Sequence, residues 1–269
     1  MTRSPPAPVL DLDGTALRVY LERLLEKAER VGGVGRLCQE LSIKVQVFEK
    51  TLAPERLSDL DLRDLLLLAN FMPTVRRRIG PWFDAHGIEP FRQGVIALLR
   101  PQGGEFFPRW QAFLAQFPQG REHRWIRDFA AEALHFSAMA AYPLMCRWVW
   151  DAGTRTGVLR ELWYATPERG ETPDVPDTPA CFYVLRDEIE GFLRENGMFR
   201  DLPLITDWLF AEVYAHYLND RGSGYLKSDF AGEEDPLHQT RRMLGLDTLT
   251  EEGIRLRTRL PVSASSLLH

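Results

Sequence analysis

Two short spacings in this 269-residue chain set a carboxylate beside an imidazole. Glu132 and His135 stand three apart within REHRWIRDFAAEALHFSAMAAYPLMCRWVW, residues 121 to 150, and Glu212 and His216 stand four apart within LITDWLFAEVYAHYLN, residues 204 to 219. Either spacing puts both side chains on one face of a helix. The neighbours on those faces are apolar: Trp125, Phe129, Phe136, Met139, Cys146 and Trp150 around the first pair, Ile205, Leu209 and Val213 around the second. Carboxylate and imidazole donors that converge between helices suit iron or manganese, with open positions for dioxygen or substrate and aromatic flanks that exclude water. Glu188, at the edge of the apolar stripe Phe182, Leu185, Ile189, Phe192 and Leu193, adds a fifth donor. The expected metal set is Glu132, His135, Glu188, Glu212 and His216.

Glutamate combined with an E-x-x-H pair is similar, in part, to the ligand arrangement of the ferritin-like and haem-oxygenase-like di-iron oxidases. That resemblance implies a non-haem oxidase or oxygenase inside a helical bundle, with an early glutamate for which Glu89 and Glu105 are the available positions. The second pair departs from the pattern, being E-x-x-x-H. The competing reading needs no metal: Glu132 and His135 bond to Asp128, Tyr142, Arg147 or backbone at the margin of a core, and the chain is a helical interaction or assembly protein without chemistry.

Two further strings carry chemistry elsewhere. Asp11-Leu12-Asp13-Gly14-Thr15 matches the D-x-D-G-T nucleophile motif of the haloacid-dehalogenase-like phosphatases. That motif belongs at the end of a buried strand in a βαβ alternation, and here only Val9 and Leu10 precede it, so capping of the next helix by Asp13 or Thr15 is expected instead. Residues 34 to 52, VGRLCQELSIKVQVFEKTL, are similar to a helix-turn-helix, with the turn at Leu41-Ser42-Ile43 and Val45, Gln46, Glu49 and Lys50 facing a DNA groove. Ser42 stands where such turns usually carry glycine.

The elements that must position these residues are helices. Apolar residues recur at helical spacing over residues 16 to 31, 58 to 71 (with Ser58 as the cap), 121 to 150, 182 to 196 and 204 to 219, with shorter helices near 91 to 99, 106 to 117 and 235 to 244 and another beginning near Thr250. A turn is expected at 101–104 and a joint at 222–224. Ile254, Leu256, Thr258 and Leu260 alternate with Arg255, Arg257 and Arg259, which predicts an extended arm with one basic face, packed on its own domain or on a partner. The fold expected is all-α, a bundle of about eight to eleven helices with a small C-terminal arm. Its helical domain covers 1–164, a Pro-rich loop 165–180, and residues 181–269 complete the same compact bundle.

Composition bounds the remaining choices. A formal charge of −5 lowers the case for a dedicated nucleic-acid binder; the first 100 residues hold 15 Lys and Arg against 13 Asp and Glu, the rest 18 against 25, so an anionic partner would dock on the first hundred. The Arg76-Arg77-Arg78 run reads as a solvated face. Three widely spaced cysteines with no C-x-x-C pair point to a reducing cytoplasm, and no stretch suits a signal peptide or a membrane span. A protein partner or homo-oligomer fits this chain better than a membrane.

Overall fold

The computed structural model describes residues 8–100, 106–165, 172–222 and 235–262. Among them are eleven α-helices and one two-stranded hairpin, so the fold is all-α with a short C-terminal arm. The helices are α1 (Gly14–Glu29), α2 (Val34–Thr51), α3 (Leu62–Asn70), α4 (Ile79–His86), α5 (Glu89–Leu99), α6 (Phe106–Ala115), α7 (Trp125–Ser137), α8 (Val158–Glu161), α9 (Pro179–Glu195), α10 (Leu202–Gly222) and α11 (His238–Met243). Strands β1 (Leu249–Thr250) and β2 (Gly253–Ile254) pair antiparallel. No helix among the described residues is long and apolar enough to cross a membrane.

The chain divides into two compact units, each built from two separated stretches. The first comprises Met1–Glu40 and Tyr142–Met243, the second Leu41–Ala141 and Leu244–His269. The division falls within α2 and not in the Pro-rich stretch 165–180.

In the first unit α10 is the central helix. Every residue from Ile205 to Val213 is buried, the pattern of a helix covered nearly all round, and α1, α8, α9 and α11 pack on it. Trp208, fully buried, donates its indole N–H to the Leu37 carbonyl at 3.0 Å. At the start of the unit Asp13 caps α1 by accepting from the amides of Thr15 and Ala16. Residues 11–13 are tied to 162–164 by two backbone bonds, Asp13 N–H to Leu162 and Tyr164 N–H to Asp11.

In the second unit α7 holds the same place. Ile126 and all residues from Asp128 to Phe136 are buried. Phe91 of α5 anchors an aromatic core. Between ring centroids, Phe129 lies 4.9 Å from it. Phe117 lies at 5.6 Å, and Trp125 at 5.7 Å.

Several expectations fail for identifiable reasons. The 121–150 helix ends at Ser137, and Pro143, which has no N–H to give to Met139 and disfavours helical geometry at Tyr142, keeps it from resuming across the stretch. The chain leaves the helix at Ala138, with φ -161° and ψ 67°. Residues 34 to 51 form one unbroken helix, because Ser42 does not interrupt a helix as glycine in the left-handed region would. The turn lies earlier, at Gly32 with φ 108° and Gly33 with φ 84°. There is no helix-turn-helix at 34–52: Gln46, Glu49 and Lys50 are exposed, as a reading face requires, but on a helix that has no turn before it at 41–43. Asp61, not Ser58, caps α3, through a capping box with Asp64. The helix expected near Thr250 is replaced by the β1–β2 hairpin, closed by the Glu251-Glu252 turn. Among the described residues no parallel sheet exists for a phosphatase motif at Asp11. Arg76 is not solvated; it is buried and grips Asp247 with two bonds of 2.9 Å. The 101–104 turn, Glu105 and most of the 222–224 joint lie outside the described residues.

Candidate functional site

Glu132 sits at the middle of α7 and is 3% exposed. An ionised carboxylate at that depth needs a counter-charge. Helix α2 supplies it: Lys44, 1% exposed, donates to Glu132 Oε2 at 2.6 Å. The same ammonium donates to the Leu244 carbonyl at 2.9 Å and the Phe71 carbonyl at 3.1 Å, which uses all three of its hydrogens. Its remaining side is covered by Phe136, whose ring centroid lies 4.0 Å from Nζ, a cation–π contact. Burial pushes the Glu132 carboxyl above its ordinary range, against the opposing pull of Lys44. Asp128 and His135 are buried on the same helix.

Glu212 is treated similarly in the other unit. It is 1% exposed, and Lys27 of α1 donates to Oε1 at 2.5 Å while the Thr240 hydroxyl of α11 donates to Oε2 at 2.8 Å. Lys27 itself is one-third exposed. His216, one turn on, faces Asp220 at 3.2 Å and the edge of the Tyr20 ring. Burial and the charge of Glu161 raise the Tyr20 phenol.

The five expected metal ligands are therefore placed as follows. Glu132 is held by Lys44, Glu212 by Lys27 and Thr240, His216 by Asp220, and His135 is buried beside Phe136 on α7. Glu188 is exposed on α9 and joins neither Glu212 nor His216 in a cluster. Among the described residues no group of three or more His, Cys, Asp and Glu side chains is arranged to hold a metal ion. Of the positions for an early glutamate, Glu89 is exposed and paired with Arg92, which with Gln93 draws its carboxyl down to about 2.

Two clefts open in the first unit among the described residues. One, of about 960 Å³, opens at the start of α1 between Leu12, Arg18, Tyr164 and Phe192; of its two carboxylates Asp13 is committed to the cap, and Glu195 lines the cleft beside Phe192. The other, of about 410 Å³, lies against Cys38, Met198, Phe199 and Ile205. Burial pushes the Cys38 thiol up to about 11, far from a nucleophile's range.

A different arrangement stands out in the second unit, where side chains grip the arm by its backbone. Fully buried Asn70 accepts from the amides of Arg257 (2.6 Å) and Thr258 (3.1 Å) and donates to the Arg255 carbonyl (3.0 Å). The Arg259 amide donates to the Arg76 carbonyl, and the Val262 amide to Asp84. The arm runs so close to α4 that a Cβ on Gly80 would collide with the Arg259 carbonyl oxygen. Thr258 is buried, but Ile254 and Leu256, expected on the packed face, are 43% and 51% exposed. Arg255, Arg257 and Arg259 are exposed too. Among the described residues Arg257 alone of the three has an acidic partner, Asp247 at 3.1 Å. Sequence reasoning passed over Asn70 and Lys44; the signal for Lys44 is its place on the stripe Leu37, Leu41, Lys44, Phe48.

No family model, no curated protein and no solved structure matches the chain.

Proposed function

We propose that this is a helical interaction protein without metal chemistry of its own, and that its arm, residues 253–262, faces the partner. The observation that carries the reading is the backbone grip on that arm. Asn70, Arg76 and Asp84 fix its path through main-chain groups, which leaves Ile254, Leu256, Arg255 and Arg259 at the surface in a set position. Apolar side chains that the fold holds in place and leaves uncovered are the usual material of an interface. The lysines on Glu132 and Glu212 argue in the same direction, since each occupies a carboxylate that an oxidase would give to metal. Three buried cysteines in no disulfide accord with a reducing compartment such as the cytoplasm.

The test compares the full chain with its Ile254→Asp/Leu256→Asp double variant as bait in extract of the source cells, with metal content measured on the same preparations. The reading predicts one protein recovered at near-equal stoichiometry by the wild type and lost by the variant, whose circular dichroism and Tm stay unchanged. An identical set recovered by both proteins overturns it. About two equivalents of iron or manganese in the purified wild type, the stoichiometry of a di-iron carboxylate site, return the oxidase reading.

A further inference from the structure

Among the described residues no strand lies beside the outer edge of β2. In an antiparallel pair, residues alternate between exchanging bonds with the partner strand and pointing their peptide groups away from it. Here Thr248 and Arg255 are bonded across the pair at 2.7 Å, and Leu249 faces Ile254 in the next position. The peptide groups of Ile254 and Leu256 therefore point outward. Beyond the end of β1, Asn70 continues the inner edge by taking the Arg255 carbonyl and the Arg257 amide. The Leu256 amide and carbonyl take no backbone bond among the described residues.

Both faces of this short edge are defined. Ile254 and Leu256 lie on one, each about half exposed. Arg255 and Arg257 lie on the other, by the two-residue period of extended chain; Arg259, beyond the bend at Thr258, is exposed as well. Edge strands are commonly blunted by charge, proline or cover, whereas this one keeps two aliphatic side chains uncovered beside its free peptide groups. Arg255 and Arg259 have no acidic partner among the described residues, and Arg77, next to the Arg76 carbonyl that receives the Arg259 amide, is also exposed. The edge thus offers main-chain bonds, an apolar face and, at Arg255, a cation with no acidic partner among the described residues.

We infer that this edge receives an extended acidic segment of a partner protein as an added strand, with an acidic residue on the side of Arg255, further acidic residues toward Arg259 and Arg77 beyond the bend, and apolar residues opposite Ile254 and Leu256. Strand addition draws affinity from main-chain bonds and specificity from alternate side chains, and opposite charges directly across a pair reinforce the register. The inference rests on the interaction reading above and names the partner's chemistry.

Fluorescence anisotropy on the full chain tests it, with a labelled eight-residue peptide alternating glutamate and valine as the probe. Three controls accompany it: the same peptide N-methylated at every amide, the same peptide with lysine for glutamate, and a 20-nucleotide oligo-dT. The Glu/Val peptide should bind, and its affinity should fall about tenfold on N-methylation and about fivefold in Arg255→Glu, with a weaker response at higher salt. Arg255 makes no side-chain bond among the described residues, so the variant should keep the wild-type Tm. Equal binding of the methylated peptide overturns strand addition; equal binding of the lysine peptide overturns the acidic partner. Oligo-dT that displaces the peptide reassigns the surface to nucleic acid. If no peptide binds while Ile254→Asp/Leu256→Asp still loses its recovered partner, this inference fails and the interaction reading stands; if neither effect is seen, both fall.

Discussion

Helices α7 and α10 are each the buried centre of a unit, and each carries a glutamate neutralised by a lysine from another helix, yet the two pairs are differently enclosed. Lys44 and Glu132 are both sealed, and the ammonium is saturated by a carboxylate, two carbonyls and a ring face. Lys27 stays one-third exposed, so in that unit desolvation is partial for the lysine and nearly complete for Glu212. Burial of the carboxylate therefore does not fix what the pair is worth. The cation's surroundings decide how much is lost when it goes.

The largest effect is expected from Lys44→Met. It leaves a buried carboxylate and two carbonyls without their donor and should cost about 3–5 kcal/mol, a large part of a typical domain's stability. Lys44→Met combined with Glu132→Leu should recover much of the loss, because it removes the stranded charge. Urea titrations of the three proteins, followed by circular dichroism, measure both steps; a single variant within about 0.5 kcal/mol of wild type would contradict the enclosure described for this pair. Lys27→Met comes next, at about 1–2 kcal/mol, since water reaches the lysine and Thr240 still serves Glu212. In about 1 M salt the Lys27 deficit should shrink and the Lys44 deficit persist.

The cysteines give a probe confined to one unit. Cys38, Cys146 and Cys181 all belong to the first unit, and the second has no cysteine. Burial pushes Cys38 up to about 11 and Cys181 up to about 12. A raised thiol keeps its proton to higher pH in the folded chain, so protection is complete around pH 8 and fades as pH climbs toward those values. At pH 8 Cys38 should hold about a hundredfold less thiolate than a free cysteine, and iodoacetamide should modify the native protein correspondingly slowly. Label uptake during urea unfolding then follows the first unit alone, and rapid native labelling at pH 8 would show that its interior is not closed.

Much of the fold was legible because helical periodicity is a local signal. Leu17, Leu21, Leu24 and Ala28 mark α1 by spacing, and Asp13 marks its start by chemistry. The 121–150 stretch misled because its apolar residues keep helical spacing past Pro143, where backbone chemistry overrules the pattern. The site was half legible. Glu132 and Glu212 stand out as misfits on apolar stripes, but their meaning depends on which misfit lies opposite, and that is set by packing between residues 88 and 185 positions apart. A lysine on one stripe and a glutamate on another are complementary irregularities, and Lys44 belongs to such a stripe as plainly as Glu132 does. Asn70 offered less: at the end of an apolar helix it reads as a stop signal, and its grip on the arm comes from residues about 185 positions later.

The interleaved construction of the two units has a consequence for the chain as it is made. Lys44 emerges early, but one of its three acceptors, the Leu244 carbonyl, follows 200 residues later. At ribosomal speeds of about 5–20 residues per second, the interval is on the order of 10 to 40 seconds. Throughout it the second unit lacks the segment that closes over Lys44, occupies Asn70 and fits against Gly80. That unit reaches its final packing only when its closing segment arrives, after the whole length of the first unit has been synthesised.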